Sequence, residues 1–222
     1  MKKTKAIFLL MSILSTGLMS FSQKTIAEGI IVYNITLQTE NVPSKTSNTL
    51  NSATSTIYLK GSQIRTDMKS ALGNESTIVD IKTGDAVILK EYSGQKLMIT
   101  LNKDNWIEKN KRFDDAQFTP TDKTKTINGY NCKQAIAKLK DGSSVAVYYS
   151  TELMPVNKEY NITFKNLPGL AMEYEFVVGK TIYIYTVSKI SQEAVPASKF
   201  DIPKSGYRIM TYEENKQIKK GE

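Results

Sequence analysis

The stretch that decides the fold reads Asn166-Leu-Pro-Gly-Leu-Ala-Met-Glu-Tyr-Glu-Phe176 and continues as Val177-Val-Gly-Lys-Thr-Ile-Tyr-Ile-Tyr-Thr-Val187. A Leu-Pro-Gly-Leu corner leads into a β-type run, a Gly-Lys dipeptide makes a turn, and a second β-type run returns. A two-residue turn here pairs Val178 with Thr181, and the pairs continue outward from it. The stretch therefore predicts an antiparallel hairpin.

Alternate residues of a strand point to the same side, so this register places six apolar or aromatic side chains on one face of the hairpin. They are Met172, Tyr174, Phe176, Tyr183, Tyr185 and Val187. We expect Phe176 to pair with Tyr183, Tyr174 with Tyr185, and Met172 with Val187. The other face is mixed and partly solvated, with Glu173, Glu175 and Val177 opposite Thr186, Ile184 and Ile182.

Two interpretations of the aromatic face fit the sequence. In the first, the six side chains form part of the core of a β-sandwich or barrel. In the second, a partly open sheet presents them as the wall of a groove for a lipid or acyl chain. Tyrosine suits a groove wall because its ring is apolar while its hydroxyl can reach water. A packed core and an apolar groove have the same sequence pattern, so both interpretations stay open.

Short β-type runs separated by glycine turns occupy most of the remaining chain. They lie at residues 29–38, 56–60, 63–68, 76–81, 86–90, 96–101, 125–127, 130–140 and 144–149. This regular spacing predicts a mainly β, antiparallel architecture. Residues 104–113 interrupt it with a charged segment that predicts a short amphipathic helix. Trp106 and Phe113 share one face of that helix, and we count both as candidates to line the groove.

The segments between and after these runs are polar. Residues 40–52 are rich in Asn, Ser and Thr and predict a mobile loop across the mouth of a cavity. Residues 195–203 predict a short capping segment, and residues 206–212 a last strand. The charged residues 213–222 predict a frayed tail. No linker divides the chain, so we expect a single domain over residues 23–222.

The N-terminus has the pattern of a signal peptide over residues 1–22. Three lysines precede an apolar run, and a Ser-Phe-Ser site predicts cleavage between Ser22 and Gln23. The apolar run is shorter than a membrane-spanning helix requires. We therefore expect a protein exported to the periplasm or beyond, soluble after cleavage, with no transmembrane segment in the mature chain.

The mature chain has a modest positive charge. Removing Lys2, Lys3 and Lys5 from the 30 basic residues leaves 27 against 22 acidic ones, a net charge of +5 instead of +8. The excess is spread along the chain and forms no long stripe. Nucleic-acid binding proteins usually concentrate their basic residues. We therefore expect solvated surface lysines, with no nucleic-acid partner.

The sequence offers little for catalysis. It contains no histidine, which excludes Ser-His-Asp and Cys-His systems and histidine metal sites. The single cysteine, Cys132, cannot form an intramolecular disulfide and is expected to be a small buried apolar residue. The acidic pairs Asp114–Asp115, Glu173–Glu175 and Glu213–Glu214 are expected on solvated surfaces. We expect no enzyme activity, metal or cofactor.

Three stretches carry a resemblance to known proteins. They are Ile57-Tyr-Leu-Lys-Gly-Ser-Gln-Ile-Arg-Thr-Asp-Met68 with residues 78–84, then Lys125-Thr-Ile-Asn-Gly-Tyr-Asn-Cys-Lys133, then the Leu-Pro-Gly-Leu corner with Glu173 and Tyr174. Together they resemble the GLPGLI-type and related exported families of unknown function, and the Ser-Phe-Ser-Gln junction is similar to signal peptides of Bacteroidetes. These families are similar to the superfamily of the lipoprotein carrier LolA. The resemblance implies a curved, unclosed antiparallel half-barrel with short helical segments over its concave side.

The sequence thus supports two functions. The first is a periplasmic binding protein that holds a lipid, acyl chain or lipoprotein in an apolar concavity. The second is an envelope module with a fully packed β core, whose partner is another protein. A structure with no cavity beneath Met172, Tyr174 and Phe176 would favour the second.

Overall fold

The computed structural model describes residues 23–39 and 53–220. The predicted signal peptide and the predicted loop at residues 40–52 lie outside the described residues. Within them the chain forms fourteen β-strands and two α-helices. The strands are β1 (Lys24–Ile26), β2 (Glu28–Thr39), β3 (Ala53–Lys60), β4 (Gln63–Ser70), β5 (Gly73–Asp80), β6 (Ala86–Tyr92), β7 (Gln95–Leu101), β8 (Phe118–Ile127), β9 (Tyr130–Lys138), β10 (Ser144–Ser150), β11 (Leu153–Pro155), β12 (Leu170–Val178), β13 (Thr181–Ser191) and β14 (Arg208–Thr211). The helices are α1 (Lys103–Asn110) and α2 (Tyr212–Lys220).

Twelve of these strands form one sheet in the order β14-β7-β6-β5-β4-β3-β2-β13-β12-β10-β9-β8. The sheet is not closed, because its end strands β14 and β8 are not paired with each other. The mainly β, unclosed architecture predicted from the sequence is confirmed. The antiparallel prediction is wrong at two places: β14 pairs with β7 in parallel, and β1 pairs with β11 in parallel as a separate two-stranded sheet. In both cases a long stretch of chain separates the two strands, which allows the second strand to run in the same direction as the first.

The hairpin of β12 and β13 has the register expected from its turn. Val178 pairs with Thr181, Phe176 with Tyr183, and Tyr174 with Tyr185. The paired register ends at Glu173 with Thr186, one residue before the expected pair of Met172 and Val187, and both of those side chains are buried in the same cluster. The predicted register of the aromatic face is therefore confirmed for two of its three pairs, Phe176 with Tyr183 and Tyr174 with Tyr185.

The sheet is covered on both faces. The inner face carries the larger core, here called the inner cluster, which includes Ile31, Tyr33, Leu59, Val147 and Met172. The outer face carries a smaller outer cluster of Ile78, Val87, Leu89, Met98, Val195 and Phe200. Strand β6 shows why both are needed: its four consecutive apolar residues alternate between the two clusters, so each face of this strand must be covered.

The predicted capping segment covers the outer cluster. Its 3-10 turn, Ala197–Phe200, places Phe200 on the sheet, and Val195 is also buried there. The Val195 N–H donates to Glu28 at 2.6 Å, and Lys60 Nζ contacts the same carboxylate at 2.7 Å. A further contact runs from Arg65 to the Lys199 carbonyl at 2.9 Å. These bonds hold the segment across the sheet before it enters β14.

The helix expected at residues 104–113 is confirmed as α1 followed by a 3-10 turn, Lys111–Phe113. Asn102 begins the helix: its side chain accepts from the Asn105 N–H at 2.9 Å, and the Asn105 side chain accepts in return from the Asn102 N–H at 3.3 Å. Trp106 and Phe113 pack against the inner cluster. The helix therefore lies over the inner face of the sheet.

The C-terminal segment is a helix over Tyr212–Lys220, which corrects the predicted frayed tail. The Glu214 carboxylate accepts hydrogen bonds from the N–H and the hydroxyl of Thr211, at 2.6 and 3.0 Å. The Glu214 N–H donates back to the Thr211 hydroxyl at 3.2 Å, which completes a capping box. Lys216 pairs with Glu108 of α1, and Tyr212 packs against the inner cluster. These contacts order a segment that its charged composition alone predicts to be solvated and frayed.

Candidate apolar binding site

The part of the aromatic face nearest the Leu-Pro-Gly-Leu corner is core. Met172 is fully buried and Val187 nearly so, and neither is among the walls of the two cavities described below. Tyr174 is also buried, and its ring lies 4.7 Å from Phe164 and 5.5 Å from Tyr33, centroid to centroid. For Met172 and Val187 the groove interpretation is therefore wrong, because the inner cluster fills the space around them.

Hydrogen bonds fix this core at the corner. The Tyr33 hydroxyl donates to the Ala171 carbonyl at 2.8 Å, and the Tyr160 hydroxyl accepts from the Ala171 N–H at 2.9 Å. Burial raises the pKa of Tyr33 and of Tyr174 well above the usual tyrosine value, and it raises the pKa of Tyr160 as well. All three phenols stay neutral well beyond physiological pH.

The part of the face nearest the hairpin turn lines a cavity. Phe176, Tyr183 and Tyr185 are only partly buried, and with Phe113 they border an apolar cavity of about 440 Å³. The phenyl rings of Phe113 and Phe176 lie 6.4 Å apart, centroid to centroid, so the 3-10 turn after α1 contacts the hairpin directly. The other lining residues are Ile35, Leu37, Ala53, Met68, Ser70, Ala71, Leu72, Tyr92, Arg112, Val177 and Val178. We call this space the aromatic pocket.

A smaller cavity of about 240 Å³ adjoins the aromatic pocket. The two share Met68, Phe176 and Tyr185 as walls. Trp106 and the buried Tyr174 also line the smaller cavity. This second space is more polar, because its walls also include Ser55, Thr66, Glu75, Thr77, Glu159 and Asn161. The two cavities together form one concavity that is apolar towards the hairpin turn and mixed towards the helix.

The geometry of the aromatic pocket requires a curved sheet. Its walls include Leu72, in the turn between β4 and β5, and Val177, at the end of β12. Strands β3, β2 and β13 lie between β4 and β12 in the sheet. Residues on strands that are separated by three others can border one small space only if the sheet bends round it. The curvature implied by the resemblance is therefore present, and α1 lies on the concave side.

Arg112 is the single charged residue among the described walls of the aromatic pocket. Its guanidinium lies 5.0 Å from the centre of the Phe113 ring, and its Nε atom is 3.3 Å from an Asp141 carboxylate oxygen. Hydrogen bonds from Ser143, together with the nearby charge of Arg112, lower the pKa of Asp141. The Arg112 side chain is exposed.

Six of the eight residues predicted to line a groove lie at the two cavities. They are Trp106, Phe113, Tyr174, Phe176, Tyr183 and Tyr185. Sequence reasoning missed the wall supplied by β2, β4 and the β4–β5 turn, including Ile35, Met68 and Leu72. One signal was present: Leu72 stands in a Ser-Ala-Leu-Gly turn, where a large apolar residue is unexpected.

The other candidate groups are engaged in ordinary packing and ion pairs. Cys132 is buried, and burial raises the pKa of its thiol to about 11. Glu173 pairs with Lys125 at 2.5 Å and accepts from the Thr186 hydroxyl at 3.0 Å. Across residues 23–39 and 53–220, the structure contains no cluster of three or more acidic or cysteine residues placed to hold a metal ion. No helix in the same residues is long and apolar enough to cross a membrane.

A family described as "Domain of unknown function (DUF4412)" matches residues 43–161, more than half of the chain. The chain belongs to this family. A search of curated proteins found no match. The family match covers β3 to β11 and α1, and therefore includes the walls supplied by β4, the β4–β5 turn and α1, but not those supplied by β2 and the aromatic hairpin.

Several solved structures are similar at low sequence identity. PNGF-II in a P21 crystal form is 14% identical with a TM-score of 0.49; the match covers 86% of this chain and 33% of that one, so this chain spans about a third of PNGF-II. A LolA superfamily protein from Nitrosomonas europaea is 7% identical with a TM-score of 0.34; the match covers 81% of this chain and 92% of that one. A beta-barrel-like protein of the family DUF1849 from Brucella abortus is 8% identical with a TM-score of 0.35; the match covers 75% of this chain and 98% of that one.

Proposed function

We propose that this protein is an exported, non-enzymatic binding protein that holds the acyl chain of a lipid or lipoprotein in the aromatic pocket. The observation that carries the proposal is the change along the hairpin from packed core to cavity wall. The volume of the aromatic pocket, about 440 Å³, lies within the roughly 300–1,000 Å³ typical of small-molecule sites.

The chemistry of the walls favours an acyl chain over a polar ligand. Five aromatic rings and several aliphatic side chains border the pocket, while Ser70, the tyrosine hydroxyls and Arg112 are its polar side-chain groups. A polar ligand would leave most of its hydrogen-bonding groups without partners there, which is costly in a desolvated site. A molecule with one long apolar part and one acidic end matches the walls and the exposed guanidinium.

Two features of the sequence support the rest of the proposal. The signal-peptide pattern at residues 1–22 supports export, and the resemblance to GLPGLI-type families and the LolA superfamily supports a carrier-like role in the periplasm. The corner of that resemblance contains Gly169, where a Cβ atom would lie 2.2 Å from the Ser150 carbonyl oxygen. The corner motif is thus explained by close packing, and the ligand contacts come from the far end of the hairpin.

The alternative function, an envelope interaction module with a fully packed core, predicts no cavity beneath Met172, Tyr174 and Phe176. Met172 is packed as this alternative predicts, but the two cavities that border Tyr174 and Phe176 argue against it. That alternative predicts a stable complex with another envelope protein in pull-downs and no bound amphiphile.

Native mass spectrometry of the exported protein, purified with its natural N-terminus, tests the proposal directly. We expect a co-purifying amphiphile, and binding of a fluorescent fatty acid once it is removed. Ala53→Phe places a ring into the pocket wall and should weaken that binding roughly tenfold or more, since the added ring occupies ligand volume. Ala146→Phe is the matched control, because Ala146 is likewise a half-buried strand alanine but lines neither cavity.

The outcomes separate clearly. Loss of probe binding in Ala53→Phe with retention in Ala146→Phe supports the pocket. Absence of any co-purifying amphiphile together with no probe binding would overturn the proposal. Equal binding by both variants and the wild-type protein would place the ligand elsewhere and would overturn the assignment of this pocket.

A further inference from the structure

Three exposed aliphatic side chains surround the opening of the aromatic pocket. Leu72 is 78% exposed, Val177 68% and Val178 63%, and all three also line the pocket. They are three of the four most exposed large apolar side chains among the described residues. We call them the mouth residues. Their concentration at one opening is the observation from which the inference starts.

The fold does not require apolar residues at these positions. In the β4–β5 turn, the Ser70 hydroxyl donates to the Gly73 carbonyl at 3.1 Å and accepts from the Leu72 N–H at 3.3 Å. In the β12–β13 turn, Gly179 takes the left-handed backbone conformation, with φ of +60°. Glycine and serine therefore supply the turn geometry, and polar side chains could replace the mouth residues without loss of packing. Their apolar character points to contact with something outside the molecule.

Most of the charged side chains beside the mouth are positive; the exposed Glu175, two residues before Val177 on β12, is an exception. Lys180 follows directly after the turn glycine, and Lys69 precedes the other turn by one residue of β4. Both are exposed, and neither pairs with an acidic side chain in the part of the chain that the structure describes. Arg112 adds a third cation at the pocket wall, beside Asp141. The nearest acid on β5, Glu75, pairs with Lys90 at 3.3 Å.

We propose that the mouth residues dock this protein onto an anionic phospholipid surface. Aliphatic side chains at the tips of two hairpins can enter the boundary between headgroups and acyl chains, while Lys69 and Lys180 lie at the level of the phosphates. A protein partner is less favoured, because a specific protein interface buries about 800 Å² on each side and depends on aromatic and arginine anchors at its centre. Three aliphatic tips flanked by lysines match a lipid interface better.

Docking in this orientation turns the pocket opening towards the bilayer. An acyl chain could then pass between membrane and pocket with little exposure to water, which removes the main free-energy cost of moving it. The docking itself needs no ligand; only this route of transfer rests on the proposed function. The two ideas can therefore fail separately.

Sedimentation of the exported, naturally processed protein with lipid vesicles tests the docking. We expect it to bind vesicles of mixed phosphatidylethanolamine and phosphatidylglycerol, and to bind phosphatidylcholine vesicles more weakly. The triple variant Leu72→Gln, Val177→Gln, Val178→Gln should bind these vesicles at least roughly tenfold more weakly than the wild type, since it removes the apolar tips. The matched control changes three other exposed aliphatic residues in the same way, as Ile136→Gln, Val156→Gln and Ile209→Gln, and should bind as the wild type does.

A charge variant sharpens the test. Lys180→Glu should weaken binding to the phosphatidylglycerol vesicles severalfold, whereas Lys189→Glu, on the same hairpin but far from the mouth, should have a smaller effect. Both lysines are exposed, so neither change should disturb folding.

Three results would each overturn the proposal: no binding of the wild-type protein to either kind of vesicle, undiminished binding of the mouth variant, or equal loss in the control. Probe binding without vesicles, measured in parallel, reports on the pocket alone. Probe binding without vesicle binding would reject the docking and leave the proposed function standing. Vesicle binding that depends on the mouth residues, without probe binding, would reject the proposed function and leave the docking standing.

Discussion

Tyr174 and Tyr185 stack face to face across β12 and β13, with ring centroids 4.7 Å apart and 10° between the ring planes. Tyr174 is buried in the inner cluster, while Tyr185 is partly buried and lines both cavities. The pair marks the point at which one face of the hairpin changes from core to cavity wall. Burial raises the pKa of Tyr185 as well, although it is less enclosed than its partner.

Alanine substitution at the two stacked tyrosines should have unequal effects on stability. Tyr174→Ala removes a buried ring that also contacts Phe164 and Tyr33, and should lower the free energy of unfolding by roughly 3–5 kcal/mol. Tyr185→Ala enlarges an existing cavity and should cost roughly 1–2 kcal/mol. Urea unfolding followed by circular dichroism measures both. Equal losses would contradict the division of the face into core and cavity wall.

The Leu-Pro-Gly-Leu corner should tolerate no side chain at Gly169. A Cβ atom there would lie 2.2 Å from the Ser150 carbonyl oxygen, which is backbone of the neighbouring strand β10 and cannot move alone. We expect Gly169→Ala to destabilise the protein by roughly 3 kcal/mol. Gly179→Ala is the comparison: no atom lies within 4 Å of its added Cβ, so only its left-handed backbone is strained, at roughly 1 kcal/mol. A smaller loss at Gly169 than at Gly179 would refute this account of the corner.

The buried tyrosines predict a loss of stability at alkaline pH. The pKa values of Tyr33, Tyr160 and Tyr174 are raised because burial disfavours the charged phenolate. In the unfolded chain these groups ionise near pH 10, before they do so in the folded protein, so their contribution to stability is complete below about pH 10 and falls as the pH rises above it. Phenolate absorbance should therefore rise in two steps, the second together with unfolding. A single smooth titration of all twelve tyrosines without unfolding would contradict the prediction.

Cys132 should react slowly with alkylating reagents in the folded protein. Burial raises its thiol pKa to about 11, so roughly one thiol in a thousand is ionised at pH 8, and the sulfur is almost wholly covered. Alkylation by iodoacetamide should be at least roughly a hundredfold slower in buffer than in urea. Mass spectrometry of time points measures both rates. Prompt labelling of the folded protein would show that this strand opens readily.

Much of the fold follows from the sequence because its cues are local. Glycine turns and β-branched runs predicted the strands, and the Gly-Lys turn predicted the hairpin register as far as Tyr174 and Tyr185. The helix beginning near residue 103 followed from its cap-type residues. The C-terminal helix was not predicted, because Tyr212 and Lys216 are ordered by partners in the inner cluster and on α1, far away along the chain.

The candidate site was predicted in part for the same reason. Periodicity identified the hairpin face, since alternation along a strand needs no knowledge of its neighbours. Periodicity could not predict that Met172 would be packed within the inner cluster while Tyr183 would line a cavity. Nor could it bring Met68 and Leu72 to the opposite wall, because that depends on how strongly the sheet bends.

The sequence by itself therefore determined the strand pattern, the register of the hairpin and which six side chains share its face. Only the tertiary structure decided where that face is core and where it is open. The physical reason is that hydrophobic patterning reports removal from water, and a packed core and an apolar pocket remove a side chain from water alike. Which of the two occurs depends on curvature, and here the sheet brings Leu72 and Val177 to one opening that the inner cluster does not fill.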